Sequence, residues 1–231
     1  EWWEVRNRPR IKIDYIDKIK ERSKYAEAVA PVLQRGASLS RGDLGARSQI
    51  FGTTPDYLKT TNYGVAVGRF FTKGEDKSGA RVALLGHDVA ENLFPNQDPI
   101  GKYFKIDGIR FKALGVMEKQ GKFLGLFSFD TQVIIPSGTS QRLFSKRGFL
   151  RISVKVPEDK ISESKDEIYG IMRQIRGLKP KEKDDFAVNQ TEAFESTYNR
   201  IKFAIGGVGI FITVLSLVVG GIGIMNIMFV S

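Results

Sequence analysis

The side chains that most often carry out catalysis are scarce in this sequence. Its 231 residues include no cysteine and one histidine, His87, which excludes disulfides, cysteine nucleophiles and cysteine-based zinc sites. His87 precedes a helical pattern, and we expect it to begin that helix instead of acting as a base. The carboxylates of Asp184 and Asp185 lie among lysines, where a solvated loop is expected. The sequence therefore predicts neither a metal site nor an acid–base pair.

Glycine-rich and serine motifs give no support for nucleotide binding or hydrolysis. Gly101-Lys102 and Gly121-Lys122 lack both the upstream glycine and the following hydroxyl residue of a phosphate-binding loop. The glycine strings at 206–209 and 220–223 lie in an apolar run with no strand before them, so a dinucleotide fingerprint is not supported. Ser78 and Ser137 precede glycines but do not form a nucleophile elbow. We predict a chain that performs no catalysis and binds no cofactor itself.

The charge pattern argues against a nucleic-acid partner. The formal net charge is +10, but basic residues alternate with acidic ones, as in the lysine-rich stretch 179–185. The sequence contains no block of five like charges and no nucleic-acid-binding module. A solvated, mildly basic surface is the expected result.

The hydrophobic pattern predicts an α/β arrangement. Pro31 should separate the first helix from the first strand, Asp107-Gly108 should form a hairpin turn, and Gly177 should end the last soluble helix. A distinct unit is expected to begin near Gly64 and to close in the glycine-rich stretch 120–125. The predicted helices are 14–25, 55–59, 87–94, 137–144 and 161–175, and the predicted strands are 32–38, 46–51, 81–85, 103–106, 109–116, 131–135, 150–156 and 186–188.

The C-terminal residues 203–231 contain no charged side chain and no histidine. As a helix rising ~1.5 Å per residue they would extend about 44 Å, which exceeds the ~30 Å hydrocarbon thickness of a bilayer. A signal peptide is excluded because the run follows a folded-looking region. We predict a transmembrane helix over 203–231. A stripe of small residues repeats at intervals of three and four and predicts close packing against another helix: Gly206, Gly209, Thr213, Ser216, Gly220 and Gly223.

A second helical register precedes this run. Asn189 followed by Glu192 resembles a capping box, and no proline or glycine occurs between residues 190 and 205. We predict a stalk helix over 190–202 that continues into the membrane and couples the domain to it rigidly. Its apolar coupling positions are Phe194, Tyr198, Ile201 and Ile205. The abrupt start at Glu1-Trp2-Trp3-Glu4 and the apolar end at Ser231 lead us to expect a fragment of a longer membrane protein.

Several strings of the soluble region follow one another in a characteristic order: Arg8-Pro9, Phe51-Gly52-Thr53-Thr54-Pro55-Asp56-Tyr57, Gly68-Arg69-Phe70-Phe71, Ala80-Arg81-Val82-Ala83-Leu84-Leu85-Gly86, Asn92-Leu93-Phe94 and Asp98-Pro99-Ile100-Gly101-Lys102. The apolar run adds the string Gly220-Gly221-Ile222-Gly223-Ile224-Met225-Asn226. In this order and over nearly the whole chain, these strings resemble the MacB/FtsX-like ABC transporter permeases. The soluble strings resemble their periplasmic core domain, and the apolar string resembles their second membrane helix.

The resemblance implies an α+β fold in three parts. Residues 1–63 and 128–189 would form a discontinuous Porter-like α/β subdomain, residues 64–127 an inserted Sabre-like mixed subdomain, and the long transmembrane helix would follow. The implied protein is a type VII ABC exporter permease of the bacterial inner membrane, with its soluble domain in the periplasm. It would transmit motion driven by ATP that a partner ATP-binding subunit or a missing upstream domain hydrolyses.

The same resemblance implies the partners: a second copy in a homodimer, a periplasmic adaptor and an outer-membrane channel that together expel periplasmic substrates. The inserted unit from Gly64 is the expected adaptor contact. Two alternatives stay open. One is a lipoprotein-releasing relative of the same superfamily, and the other is a membrane-anchored sensor or cell-wall regulator that transports nothing.

Overall fold

The computed structural model describes residues 9, 11–61, 64–123, 127–144, 149–189, 203, 206–217, 219–222 and 225. The chain divides into two compact units, Glu1–Phe186 and Ala187–Ser231. The first unit holds the sheet and the helices that pack on it. In the second unit, residues 206–217 and 219–222 are helical.

The first unit contains strands and helices in a mixed order. The strands are β1 (Ala28–Arg41), β2 (Leu44–Thr53), β3 (Val65–Gly68), β4 (Val82–Leu85), β5 (Tyr103–Ile106), β6 (Ile109–Met117), β7 (Lys122–Phe123), β8 (Phe127–Ser128), β9 (Gln132–Pro136) and β10 (Phe149–Lys155). The helices are α1 (Asp14–Arg22), α2 (Tyr57–Thr60), α3 (Lys73–Ser78), α4 (His87–Leu93), α5 (Ser137–Phe144) and α6 (Ile161–Arg176), with 3-10 turns at Phe129–Thr131 and Glu158–Lys160.

One mixed sheet organises this unit. Its strand order is β10-β1-β2-β9-β4-β6-β3, and β5 pairs with both β1 and β6. The pairs β2–β9 and β4–β6 are parallel, and the other pairs of this sheet are antiparallel. Strands from the predicted insertion 64–127 therefore share a sheet with strands from both flanks. The mixed α/β content agrees with the predicted fold class, whereas the division into Porter-like and Sabre-like subdomains stays a prediction.

Alternating side chains of the sheet form an apolar cluster on each face. One cluster includes Leu39, Ile50 and Phe111, on which α4 packs through Val89 and Leu93. The cluster on the opposite face includes residues of β1, β2, β4, β6 and β9 together with Tyr57 of α2: Val32, Phe51, Leu84, Leu114 and Ile134. Because β4 and β9 are buried on both faces, nearly all of their consecutive residues are apolar.

Local turn signals were predicted correctly. In the hairpin that joins β5 to β6, Asp107 has φ 46° and Gly108 has φ 81°, the left-handed conformations that a tight two-residue turn requires. Gly177 ends α6 with φ 67°. Helix α1 ends three residues earlier than predicted, because Ser23 is extended while its N–H caps the carbonyl of Ile19.

The prediction that Pro31 precedes the first strand was wrong. Pro31 lies inside β1, opposite Ile152 of β10. Its carbonyl accepts a hydrogen bond from the Thr53 hydroxyl at 2.5 Å. The nitrogen and carbonyl of Pro31 therefore point towards β2, which ends at Thr53 and has no further residue to pair with Pro31. A proline is tolerated there because no ladder bond from its nitrogen is needed.

The prediction of a strand at 186–188 was also wrong. The structure shows no strand in these three residues. Phe186 is buried and lies against Tyr169 of α6, with ring centroids 5.4 Å apart. Burial against a helix, and not strand pairing, accounts for this apolar position.

Candidate functional site at the terminal junction

The chain reverses direction after α6 and returns along it. Gly177 adopts the left-handed conformation, and the N–H of Leu178 donates to the carbonyl of Arg173 at 3.0 Å. This is the helix-ending arrangement that glycine favours, because it has no Cβ to clash. The segment 179–186 is thereby directed back past the last turns of α6.

Arg173 fastens the returning segment to α6. Its guanidinium donates to the carbonyls of Lys179 at 2.5 Å and Glu182 at 3.2 Å, and it pairs with the Asp184 carboxylate. Within the segment, the Glu182 carboxylate accepts the N–H of Lys179 at 2.9 Å. One planar side chain thus satisfies three acceptors, which a lysine ammonium on a flexible stem would hold less rigidly.

Arg176 joins the two ends of the first unit. One guanidinium nitrogen donates to the Asp185 carboxylate at 3.1 Å, and the other donates to the carbonyl of Pro9 at 3.1 Å. The Arg176 side chain is only 5% exposed, against 24% for Asp185. Its guanidinium also lies over the Tyr15 ring, 5.4 Å from the centroid. We name this set the terminal junction: Pro9, Tyr15, Arg173, Arg176, Asp184 and Asp185.

Helix α1 is tied to α6 by a second polar contact. The Glu167 carboxylate accepts from the Ser23 hydroxyl at 2.6 Å and from the Lys24 N–H at 2.9 Å. Burial alone would raise the pKa of Glu167, but these hydrogen bonds outweigh burial and hold the pKa below its ordinary value. The carboxylate is therefore ionised at neutral pH and keeps both bonds.

Apolar contacts support the same region. Tyr15 and Ile19 of α1, and Ile171 and Met172 of α6, are buried, as is Phe186. The buried Arg176 Nε and Asp185 Oδ1 have no hydrogen-bond partner in the described part of the chain. The terminal junction therefore has a structural role: its charged hydrogen bonds hold the entering chain, α1, α6 and the leaving chain together.

Sequence reasoning missed this site. Asp184 and Asp185 were predicted to lie in a solvated loop, whereas each pairs with an arginine of α6 and is partly shielded from solvent. The available signal was Arg173 and Arg176, one helical turn apart and followed by two adjacent aspartates. The sequence did not reveal that the chain turns back at Gly177 far enough to bring these charges together.

The predicted site residues fall mainly in the second unit. Gly206, Gly209, Thr213, Ser216 and Gly220 are helical and exposed within the described residues. The Thr213 and Ser216 hydroxyls donate to carbonyls of their own helix, at Gly209 and Ile212. Their exposure fits a packing stripe, which stays a prediction. Gly223 and the stalk positions Phe194, Tyr198, Ile201 and Ile205 lie outside the described residues.

The membrane prediction is likewise unresolved by the structure. Among the described residues, no helix combines the length and the apolar character needed to cross a bilayer. Part of the predicted span 203–231 and the stalk 190–202 lie outside the described residues.

His87 begins α4 as predicted. Its Nδ1 lies 3.9 Å from an Asp88 oxygen and 3.7 Å from a Glu91 oxygen. These three side chains are close enough together to hold a metal ion. Two of them are surface carboxylates of one short helix, so proximity alone does not establish a metal site.

Comparison with known proteins identifies relatives over most of the chain. Residues 2–169 match the family model described as the MacB-like periplasmic core domain. The macrolide export ATP-binding/permease protein MacB of Rhodospirillum rubrum is 35% identical over 212 residues, covering 88% of this chain and 31% of that protein. The pyoverdine export ATP-binding/permease protein PvdT of Pseudomonas syringae pv. syringae is 29% identical over 208 residues with the same coverage. The chain thus spans about a third of the length of these relatives.

Solved structures show the same fold. The periplasmic region of MacB from Actinobacillus actinomycetemcomitans superposes with a TM-score of 0.69 at 18% identity, covering 84% of this chain and 85% of that one. The extracellular domain of the noncanonic ABC-type transporter YknZ from Gram-positive bacteria gives 0.62 at 19% identity, covering 73% and 86%.

Proposed function

We propose that this chain, which belongs to the MacB-like periplasmic core domain family, is the extracytoplasmic part of an ABC exporter permease. In this role it transmits ATP-driven motion across the inner membrane. The motion would drive efflux of periplasmic substrates. The domain itself is a non-catalytic part of the permease.

The main support is the terminal junction. Arg176 bonds to the entering chain at Pro9 and to the leaving chain at Asp185. Both chain ends are therefore held to one helix, and a displacement of either end is passed to α6 and α1 together. Because the Arg176 side chain is only 5% exposed, its charge-assisted bonds resist such a displacement better than fully exposed ion pairs do.

The names of the relatives support an ATP-binding partner. Their names combine an ATP-binding part with a permease part, and this chain corresponds to about a third of their length. ATP would be bound by a separate subunit or an additional domain, with no cofactor on this chain. We further propose a homodimer, a periplasmic adaptor reached by the 64–127 insertion, and an outer-membrane channel.

The second unit would form the link to the membrane. We propose that residues 190–202 form a stalk helix and that 203–231 form a transmembrane helix packed through the small-residue stripe. The small side chains at Gly206, Gly209 and Gly220 support this use, since small residues let helices approach closely in lipid.

The test is ATP hydrolysis by the intact protein, purified from its native membranes with the proteins that accompany it. Gly220→Leu places a branched side chain on the stripe and should abolish the coupled ATPase activity. Val219→Leu, one position away from the stripe, is the matched control and should retain it.

An absence of both ATPase activity and any accompanying nucleotide-binding protein would contradict the exporter and favour a membrane-anchored sensor. Hydrolysis that depends equally on Val219 and Gly220 would contradict packing through the stripe. The exporter names of the relatives support this function over a lipoprotein-releasing permease.

A further inference from the structure

One end of the sheet exposes a band of basic side chains. In register, Arg47 lies opposite Ser38, Lys105 lies opposite both Ser40 and Arg110, and Lys112 lies opposite Tyr103. Because directly paired residues project from the same side of a sheet, the band crosses the adjacent strands β2, β1, β5 and β6. We name it the basic sheet face: Arg47, Tyr103, Lys105, Arg110 and Lys112.

The charges of this face are only partly offset by the fold: the Asp107 carboxylate, which pairs with Arg35 and accepts the N–H of Ser38, lies at its edge. Its four cations form no ion pair with any carboxylate in the described part of the chain. The neighbouring positions on the same side are occupied by small or uncharged residues: Gly36, Ser38, Ser40, Gly45 and Gln49. Lys105 directly opposes Arg110, and like charges in directly opposite positions destabilise a sheet. The direct opposition of Lys105 and Arg110 therefore works against folding.

An aromatic contact orients one of the cations. The Arg110 guanidinium stacks on the Tyr103 ring, 3.7 Å from the centroid, and Tyr103 remains 48% exposed. Stacking fixes the guanidinium plane and leaves its N–H edges open to a carboxylate, which arginine binds in bidentate geometry. The neighbouring glycine and serine residues on the same side of the sheet have small side chains, which leave room for an extended chain.

The face lies at the far end of β1 from α1. Ser40, which pairs with Lys105, is the twelfth residue after Ala28 at the start of β1. At ~3.3 Å per residue the face lies about 40 Å along the strand from the end that follows α1.

We propose that the basic sheet face is a docking surface for an acidic segment of an extracytoplasmic protein. Charge complementarity selects an acidic partner, and the small side chains beside the cations leave space for an extended polypeptide. This inference rests on the proposed function for the location of the face, and it assigns a partner chemistry to residues within the inserted unit and on the β1–β2 hairpin.

The experiment measures binding of a fluorescent peptide of alternating aspartate and glutamate to the full chain in uncharged detergent, by anisotropy. The variant replaces three cations, as Lys105→Gln, Arg110→Gln and Lys112→Gln together. The matched control changes the same net charge elsewhere, as Lys73→Gln, Lys77→Gln and Lys119→Gln, all exposed.

We expect the first variant to raise the Kd about tenfold and the control to change it less than about twofold. Raising the salt from about 50 mM to about 300 mM should weaken wild-type binding, because the contact is electrostatic. Thermal unfolding should show a Tm within a few degrees of the wild type for the first variant, since it removes both the Lys105–Arg110 repulsion and the Arg110–Tyr103 stack. A cooperative transition at that temperature excludes misfolding as the cause.

Equal weakening by both triple variants would overturn the proposal, because it would show only nonspecific attraction. Binding to phosphatidylglycerol vesicles that depends on the same three cations, with no peptide binding, would assign the face to lipid and overturn it as well. Wild-type ATP hydrolysis is measured separately. Its presence without peptide binding contradicts only the docking surface, and its absence with specific peptide binding contradicts only the transport function.

Discussion

Replacing Arg176 by methionine tests whether the terminal junction holds the ends of the domain together. Methionine keeps much of the side-chain volume but loses the bonds to Asp185 and Pro9, both 3.1 Å long. It also leaves the partly buried Asp185 carboxylate unpaired. Breaking a buried pair costs ~3–5 kcal/mol, and residual hydration of Asp185 lowers our expectation to about 2–4 kcal/mol.

The predicted loss is measurable as a change in thermal stability. For a unit of this size each kcal/mol shifts the Tm by roughly 2–4 °C, so we expect a decrease of roughly 5–15 °C for the full chain in detergent. Amide hydrogen exchange should accelerate most at Asp185 and Phe186, because this part of the segment loses its bond to α6 while Arg173 still holds Lys179, Glu182 and Asp184. Arg22→Met is the control, since Arg22 is an exposed arginine of α1 and its loss should change stability by less than about 0.5 kcal/mol.

A double-mutant cycle with Asp185→Asn separates the pair from other effects. We expect a coupling energy of about 1–2 kcal/mol between Arg176 and Asp185. A Tm change no larger than that of Arg22→Met, or strictly additive single effects, would refute the interpretation of the junction as a clamp. In the intact exporter, the same variant should retain ATP hydrolysis while losing efflux, as expected when motion is generated but not transmitted.

Two further predictions concern close contacts and pH. Gly138→Ala should destabilise the protein by about 1–3 kcal/mol in chemical denaturation, since the added Cβ would lie 2.2 Å from the backbone oxygen of Asp76. Gly170→Ala, whose added Cβ would have nothing within 4 Å, should instead stabilise the protein by about 0.5–1 kcal/mol. Equal effects of the two substitutions would contradict the predicted packing difference. Glu75 bonds to the solvent-exposed Arg69 and caps α3, so Glu75→Ala should cost about 1 kcal/mol at pH 7. Hydrogen bonding to Arg69 lowers the pKa of Glu75 from 4.5 to about 2, so this contribution is present above pH 4.5 and is lost as the pH falls towards 2; an undiminished difference between wild type and variant at pH 2 would show that ionisation is not its cause.

The local elements were predictable because their causes are local. The Asp107-Gly108 turn, the stop of α6 at Gly177 and the helix at Ser137–Phe144 each follow from side chains within a few residues of one another. The family was also identified from short strings of sequence, and the match over residues 2–169 confirms it. For such features the backbone preferences of glycine and the period of apolar residues are sufficient.

The order of strands was not predictable from these signals. Asp107 illustrates the difference: its place in a turn is a local property, but its carboxylate also pairs with Arg35 and accepts the N–H of Ser38 at 2.9 Å. Those contacts exist because β5 pairs with β1 across more than sixty intervening residues. Similarly, Pro31 is an allowed strand residue only because β2 stops beside it.

By itself, the sequence determined most of the helices and strands, the absence of cysteine chemistry and the family, but it missed the strand Val65–Gly68 and the helix Lys73–Ser78. Only the tertiary structure determined that Pro9 and Asp185 meet at Arg176, and that Arg47 lies on one surface with Lys105, Arg110 and Lys112. The physical reason is that hydrogen-bond periodicity and turn preferences act over a few residues, whereas charges from distant segments become neighbours only when the sheet and the helices that pack on it place them together.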